Sequence, residues 1–156
     1  MKPRAMRCVV DASVAIKLFV EEPLSDRAEL LFSQLASDPD SRLYVPDLFF
    51  VECANILWKY SQRFGYPPAE ARKSLSRLNS LALDRIPLAE ILPDALDIAL
   101  AHSITVYDAC YVAAALLLNI PMVTADRRLV RKLASTPHRI VWLGDFDTPS
   151  SGRPVT

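Results

Sequence analysis

Apolar positions along the chain recur with two different periods, and the alternation between them predicts the elements. Arg7 to Val10 is a short apolar run ending at Asp11, and Ser13 to Val20 then adopts helical spacing, the pattern of a buried strand feeding a helix. A second helix is predicted from Leu24 to Ala36, stopped by the turn-rich Ser37, Asp38, Pro39, Asp40 and Ser41. Leu43 to Val45 is a short strand closed by Pro46. From Asp47 to Phe64, Leu48, Val51, Ile56 and Leu57 repeat at helical spacing up to a stop signal at Gly65. Pro67 and Pro68 open another helix to about Leu83. Arg85 to Leu88 fits a strand, and Ala89 to Ser103 a helix with Pro93 in its first turn. Tyr107 to Leu118 is the most apolar helix, Met122 to Thr124 a strand, Arg127 to Leu133 a short basic helix, and Arg139 to Leu143 a last strand.

Strands therefore alternate with helices throughout, which predicts an α/β fold with a parallel sheet covered on both faces. No repeat or long linker divides the chain, so one domain is expected over residues 1–146. The remainder, 147–156, with Pro149, Ser150, Ser151, Gly152, Arg153 and Pro154, offers little to bury and is expected to be a flexible tail.

Composition narrows the class. Hydrophobic residues make up 51% of the 156 and glycines number 3, which excludes disorder for most of the chain. A domain of this size buries roughly 70% of the surface of its unfolded chain. The 18 basic and 18 acidic residues cancel, so any argument for nucleic-acid binding must be local. Cys8, Cys53 and Cys110 are odd in number, far apart and set in apolar runs, which suits reduced buried thiols and a cytoplasmic location. Arg7 and Asp11 interrupt the N-terminus before a signal-peptide core forms. The longest apolar stretch, Ala109 to Leu118, falls short of the roughly 18 residues that a membrane span needs.

Candidate chemistry lies at the carboxyl ends of the strands, where ligands bind in an open parallel sheet. Asp11 follows the first strand directly and Asp126 follows Met122 to Thr124 after one alanine. Each also stands where a helix N-cap would, and Asp108, opening the Tyr107 to Leu118 helix, suits the helix dipole. Glu52 does not fit a capping role, because it lies inside a helix. Its neighbours at three and four residues, Leu48, Phe49, Asn55 and Ile56, include no cation. A carboxylate withdrawn from water without a partner neutralises, pairs or binds a metal, so Glu52 is either a ligand or a residue that reaches solvent or a distant Arg. Two unit charges at ~4 Å repel by about 4 kcal/mol at an effective dielectric of 20, and a divalent cation removes that penalty. An all-oxygen set suits Mg²⁺ or Mn²⁺, whereas zinc prefers His and Cys. His102 and His138 read as surface residues.

These residues stand in familiar blocks. Val9-Val10-Asp11-Ala12-Ser13-Val14-Ala15-Ile16-Lys17 with Glu21-Glu22 resembles the opening of VapC-type PIN-domain toxins. Val51-Glu52 with Asn55-Ile56-Leu57, then Tyr107-Asp108-Ala109-Cys110-Tyr111-Val112-Ala113-Ala114-Ala115, then Val123-Thr124-Ala125-Asp126 resemble the three later blocks in order. The resemblance implies a three-layer sandwich with a parallel sheet of about five strands between helices, and cleavage of RNA with Mg²⁺ or Mn²⁺. It implies Asp11, Glu52, Asp108 and Asp126 as catalytic residues, with Asp11, Asp108 and Asp126 as metal ligands and Ser13 and Thr124 as accessory groups. It also implies a homodimer and a VapB-like antitoxin. One departure is that Asp126 is followed by Arg127 and Arg128, where some relatives carry a further acidic residue or amide.

Arg127, Arg128, Arg131 and Lys132 form a local basic patch able to position RNA phosphates, with Lys17 a weaker candidate; a solvated helix face explains them as well. Two other functions remain open. One is a PIN-like module that binds RNA or protein without cutting; the other is an α/β phosphoryl-transfer protein with a nucleophilic aspartate after the first strand.

Overall fold

A computed structural model of the chain describes residues 5–146, so the expected tail at 147–156 lies outside the described residues. Strand β1 (Arg7–Val10) leads into a one-turn helix α1 (Ala12–Ala15), which tightens into a 3-10 turn over Ile16–Leu18. The continuous helix expected from Ser13 to Val20 is thus shorter and changes its hydrogen bonding, because Phe19 and Val20 both return to the carbonyl of Ile16. Then come α2 (Ser25–Ser37), β2 (Arg42–Pro46), α3 (Leu48–Phe64), α4 (Pro68–Ser80) and β3 (Asp84–Ile86). The described residues finish with α5 (Leu88–His102), α6 (Val106–Leu118), β4 (Met122–Thr124), α7 (Arg127–Leu133), β5 (Ile140–Trp142) and a 3-10 turn over Leu143–Asp145.

Gly65 ends α3 at a positive φ of 66°, as its stop signal predicts. Helix α4 stops before Leu81 and Leu83, which leave the helix to pack on the core. Pro93 is not in the first turn of its helix. The helix starts at Leu88, directly after Pro87, which leaves Pro93 inside α5 without an N–H for the ladder.

The sheet has five strands in the order β3-β2-β1-β4-β5, and every pairing is parallel. The chain moves outward from β1 through β2 to β3, then crosses back to β4 beside β1 and moves outward again to β5. With right-handed crossovers, the two directions place helices on opposite faces of the sheet. The central strand agrees, since Cys8, Val9 and Val10 are each at most 2% exposed, on both faces of the pleat. Helix α6 packs against β1, β2 and β4 and buries every residue from Ala109 to Ala115. The order reverses between β1 and β4, so their carboxyl ends border the crevice where such sheets bind ligands.

Candidate active site

Asp11 and Asp126 reach that crevice from its two sides. Asp11 leaves β1 with extended backbone (φ −74°, ψ 149°) at the N-cap position of α1, but its side chain makes no capping bond. Its Oδ2 instead accepts the hydroxyls of Ser13 at 2.9 Å and Thr124 at 2.8 Å. A hydroxyl has one proton to give. Both are spent on Asp11, so the two oxygens accept backbone amides: Ala125 donates to Ser13 Oγ and Asp126 to Thr124 Oγ1, each at 3.1 Å. The ends of β1 and β4 are thereby tied through one carboxylate. Burial at 7% exposure pushes the Asp11 carboxyl above its usual range, and the two hydroxyls only partly offset it.

Asp126 is a true cap. Its Oδ1 accepts the amides of Arg128 at 2.9 Å and Leu129 at 3.3 Å, opening α7. Asp108 is not a cap. Helix α6 starts one residue earlier than expected, and Thr105 Oγ1 accepts the Asp108 amide at 3.1 Å, which leaves the Asp108 carboxylate to the crevice. Partial burial, then the charges of Asp11 and Asp126, raise its pKa.

Glu52 sits in the second turn of α3, half-buried, and accepts the hydroxyl of the fully buried Tyr111 at 2.6 Å. Desolvation raises its pKa most; Asp11 and Asp108 raise it further, against the Tyr111 hydrogen bond. The four carboxylates therefore come from four separate segments into one electrostatically linked group, in which Asp11 and Asp108 act on Glu52, and Asp11 and Asp126 act on Asp108. Among the described residues, no salt bridge neutralises any of them.

This donor set fits a hard divalent cation: it is all oxygen, negatively charged and, among the described residues, without a salt-bridged base. Among the described residues no three acidic, histidine or cysteine side chains are arranged to hold an ion directly. The fit is therefore to a cation that keeps much of its water and meets one or two carboxylates, as Mg²⁺ does. The histidines are elsewhere, His102 edge-on to His138 at 5.3 Å. All three cysteines are free and buried.

The basic residues divide. Lys17 is paired with Glu22 at 2.9 Å with its side chain 10% exposed, and Tyr60 donates to the other Glu22 oxygen, so Lys17 is withdrawn from solvent. Lys132 donates to the Ser103 carbonyl. Arg127, Arg128 and Arg131 are exposed on α7. Sequence reasoning did not single out Tyr111, Thr105 or Trp142. A tyrosine in the middle of an apolar helix was the available signal, since a buried phenol needs a partner.

The PIN domain family model matches residues 8–134. Ribonuclease VapC3 of Pyrobaculum aerophilum is 40% identical over 129 residues, covering 81% of this chain and 95% of that protein. The crystal structure of PAE2754 from the same organism superposes with a TM-score of 0.64 at 25% identity, covering 90% of this chain and 85% of that one. VapBC2 from Rickettsia felis, solved with a fragment of promoter DNA, shares the fold with a TM-score of 0.61 at 12% identity, covering 88% and 98%.

Proposed function

The chain belongs to the PIN-domain family, among its VapC ribonucleases, and from that premise we propose that it hydrolyses RNA phosphodiester bonds with Mg²⁺ or Mn²⁺ at the crevice between β1 and β4. The observation that supports this reading is the electrostatic linkage of Glu52 to Asp11 and Asp108, and of Asp108 to Asp11 and Asp126, with no salt bridge to any of the four among the described residues.

Asp11, Asp108 and Asp126 would hold the cation, in part through water, with Ser13 and Thr124 fixing the Asp11 oxygen that faces them. A cation bound there supplies positive charge to the phosphate and acidifies water. Glu52, fixed by Tyr111, orients the attacking water and is suited to accept its proton, because a raised pKa brings a carboxylate toward neutrality as a base. Water attacks phosphorus in line; the P–O bond to the departing ribose oxygen breaks, and that oxygen takes up a proton. Arg127, Arg128 and Arg131 lie beside Asp126 to meet the RNA backbone.

A ribonuclease acting on cellular RNA needs restraint. We assign that role to a VapB-like antitoxin, in keeping with the paired VapBC2 assembly, and place the protein in the cytoplasm as a homodimer. No single helix among the described residues is long and apolar enough to cross a membrane. Apolar surface for partners exists: Val51, Trp58 and Phe64 on α3, and Leu92, Leu96 and Leu100 on α5, are exposed.

The test is cleavage of RNA with Mg²⁺ or Mn²⁺, with EDTA and Asp11→Asn as controls. The proposal expects cleavage that EDTA abolishes and that Asp11→Asn lowers by several hundredfold or more, on the order of losing one positioned charge in the transition state. Equal cleavage by the variant would remove this site, and no cleavage of any RNA would favour a binding module.

A further inference from the structure

Trp142 ends β5 and is paired with Thr124, the residue whose hydroxyl holds Asp11. It is therefore one strand spacing, about 4.8 Å, from that edge of the site. The guanidinium of Arg127 stands over its ring, 3.9 Å from the centroid. Arg127 directly follows Asp126, the residue that caps α7. On the other side of the chain, a Cβ at position 144 would fall inside the van der Waals radii of Cζ3, Cη2 and Cε3 of Trp142. Only glycine lets the indole fold back to that place. The indole nitrogen is buried without a hydrogen-bond partner. A buried unmatched N–H costs ~1–3 kcal/mol, so the ring is held by its packing and by the arginine, not by its polar atom.

Stacking occupies the flat face of a guanidinium and leaves the N–H donors at its edges free, a geometry that suits phosphate. Arg131 lies one helical turn away on the same face of α7. Among the described residues neither arginine enters a salt bridge. With Val130, Trp142 and Asp145 they line a cleft of about 180 Å³. Two arginines without a salt bridge among the described residues, one of them immobilised, thus share a groove with one carboxylate, Asp145, in a chain with no net charge.

We propose that Arg127, seated on Trp142, forms with Arg131 a binding subsite for a backbone phosphate of the RNA next to the scissile bond. The proposal rests on the ribonuclease reading for its substrate. Trp142 and Gly144 are positioning residues, because they act through Arg127.

Binding of a fluorescein-labelled single-stranded RNA is measured by anisotropy as a function of salt, in the Asp11→Asn background so that the probe stays intact. Arg127→Ala is expected to make the slope of log affinity against log salt shallower by about 0.7, the value for one phosphate contact on a single strand. Arg127→Lys restores the slope without restoring full affinity, since the ammonium keeps the charge but loses the stacked fork. Trp142→Leu weakens binding in the same direction and Trp142→Phe restores it. Arg63→Ala, at the far end of α3, leaves the slope unchanged. An Arg127→Ala protein with the native slope overturns the subsite, as does a Trp142→Leu protein with a native melting curve and native affinity. If Trp142→Leu does not fold, the Arg127 pair decides alone. Cleavage of the same RNA by the native protein is scored in parallel. Cleavage with an unchanged slope rejects the subsite only, and a changed slope without cleavage rejects the nuclease reading only.

Discussion

Tyr111 determines where Glu52 points. The phenol is fully buried, its hydroxyl has Glu52 as its partner at 2.6 Å, and Glu52 has no cation at helical spacing to hold it otherwise. A hydrogen bond to a charged group is worth about 1.5–3 kcal/mol. Tyr111→Phe is therefore expected to lower kcat by roughly tenfold to a hundredfold with KM little changed, as steady-state cleavage assays would show. An equal loss in both constants would mean that the tyrosine only fills the core. Glu52 itself was legible, because a carboxylate inside an apolar helix has no local explanation. Its partner was not, since a tyrosine surrounded by alanines reads as packing until tertiary structure shows what the hydroxyl meets. The same residues carry a pH dependence. Asp11, Glu52 and Asp108 have folded pKa values raised above their ordinary 3.8, 4.5 and 3.8, first by burial, then for Glu52 by the charges of Asp11 and Asp108, and for Asp108 by those of Asp11 and Asp126. Between the unfolded and folded values the folded protein binds more protons, so their contribution to stability is present at low pH and lost as pH rises through the folded values. Melting temperatures in EDTA should rise as pH is lowered from neutrality toward the carboxylate range, and Asp11→Asn should flatten that rise. A native protein whose melting temperature rises no more than that of the variant as the pH is lowered would contradict the shifts.

At the scale of elements, the short pieces at the site were the clearest, and for a physical reason. Strand β4 and helix α7 match their predicted bounds because Asp126 provides a real cap between them. Helix α6 was shifted by one residue, since its cap is Thr105, outside the apolar run that announces the helix. The 3-10 turn after α1 leaves no mark in hydrophobic spacing, as a period near 3 and one of 3.6 coincide over so few residues. Thr105 has a consequence beyond helix stability. It fixes the turn from which Asp108 projects, so Thr105→Ala should cost about 1 kcal/mol in thermal unfolding and lower cleavage as well. Thr105→Ser should retain both. Loss of stability with cleavage intact would separate the cap from the placement of Asp108.

For the whole molecule, the alternation of strands and helices sufficed to foresee a parallel sheet, but not the strand order. Nothing in a sequence states that β4 returns to the side of β1, and that return alone makes Asp11 and Asp126 neighbours. The fold thus brings together carboxylates that oppose it. Without a cation, their burial and mutual repulsion act against the native state; a cation that binds only the folded protein reverses this. A ligand at a hundred times its dissociation constant stabilises by about 2.7 kcal/mol, which for a chain of this size is a shift of roughly 5–10 °C. Mn²⁺ or Mg²⁺ added to the metal-free protein should raise its melting temperature by that order near neutral pH, with Ser13 and Thr124 intact. Asp11→Asn removes the most buried of the charges and should melt above the native protein in EDTA, yet gain little from either metal. Scanning calorimetry of both proteins with and without metal decides the matter. A metal-induced shift as large in Asp11→Asn as in the native chain would place the cation away from the β1–β4 crevice.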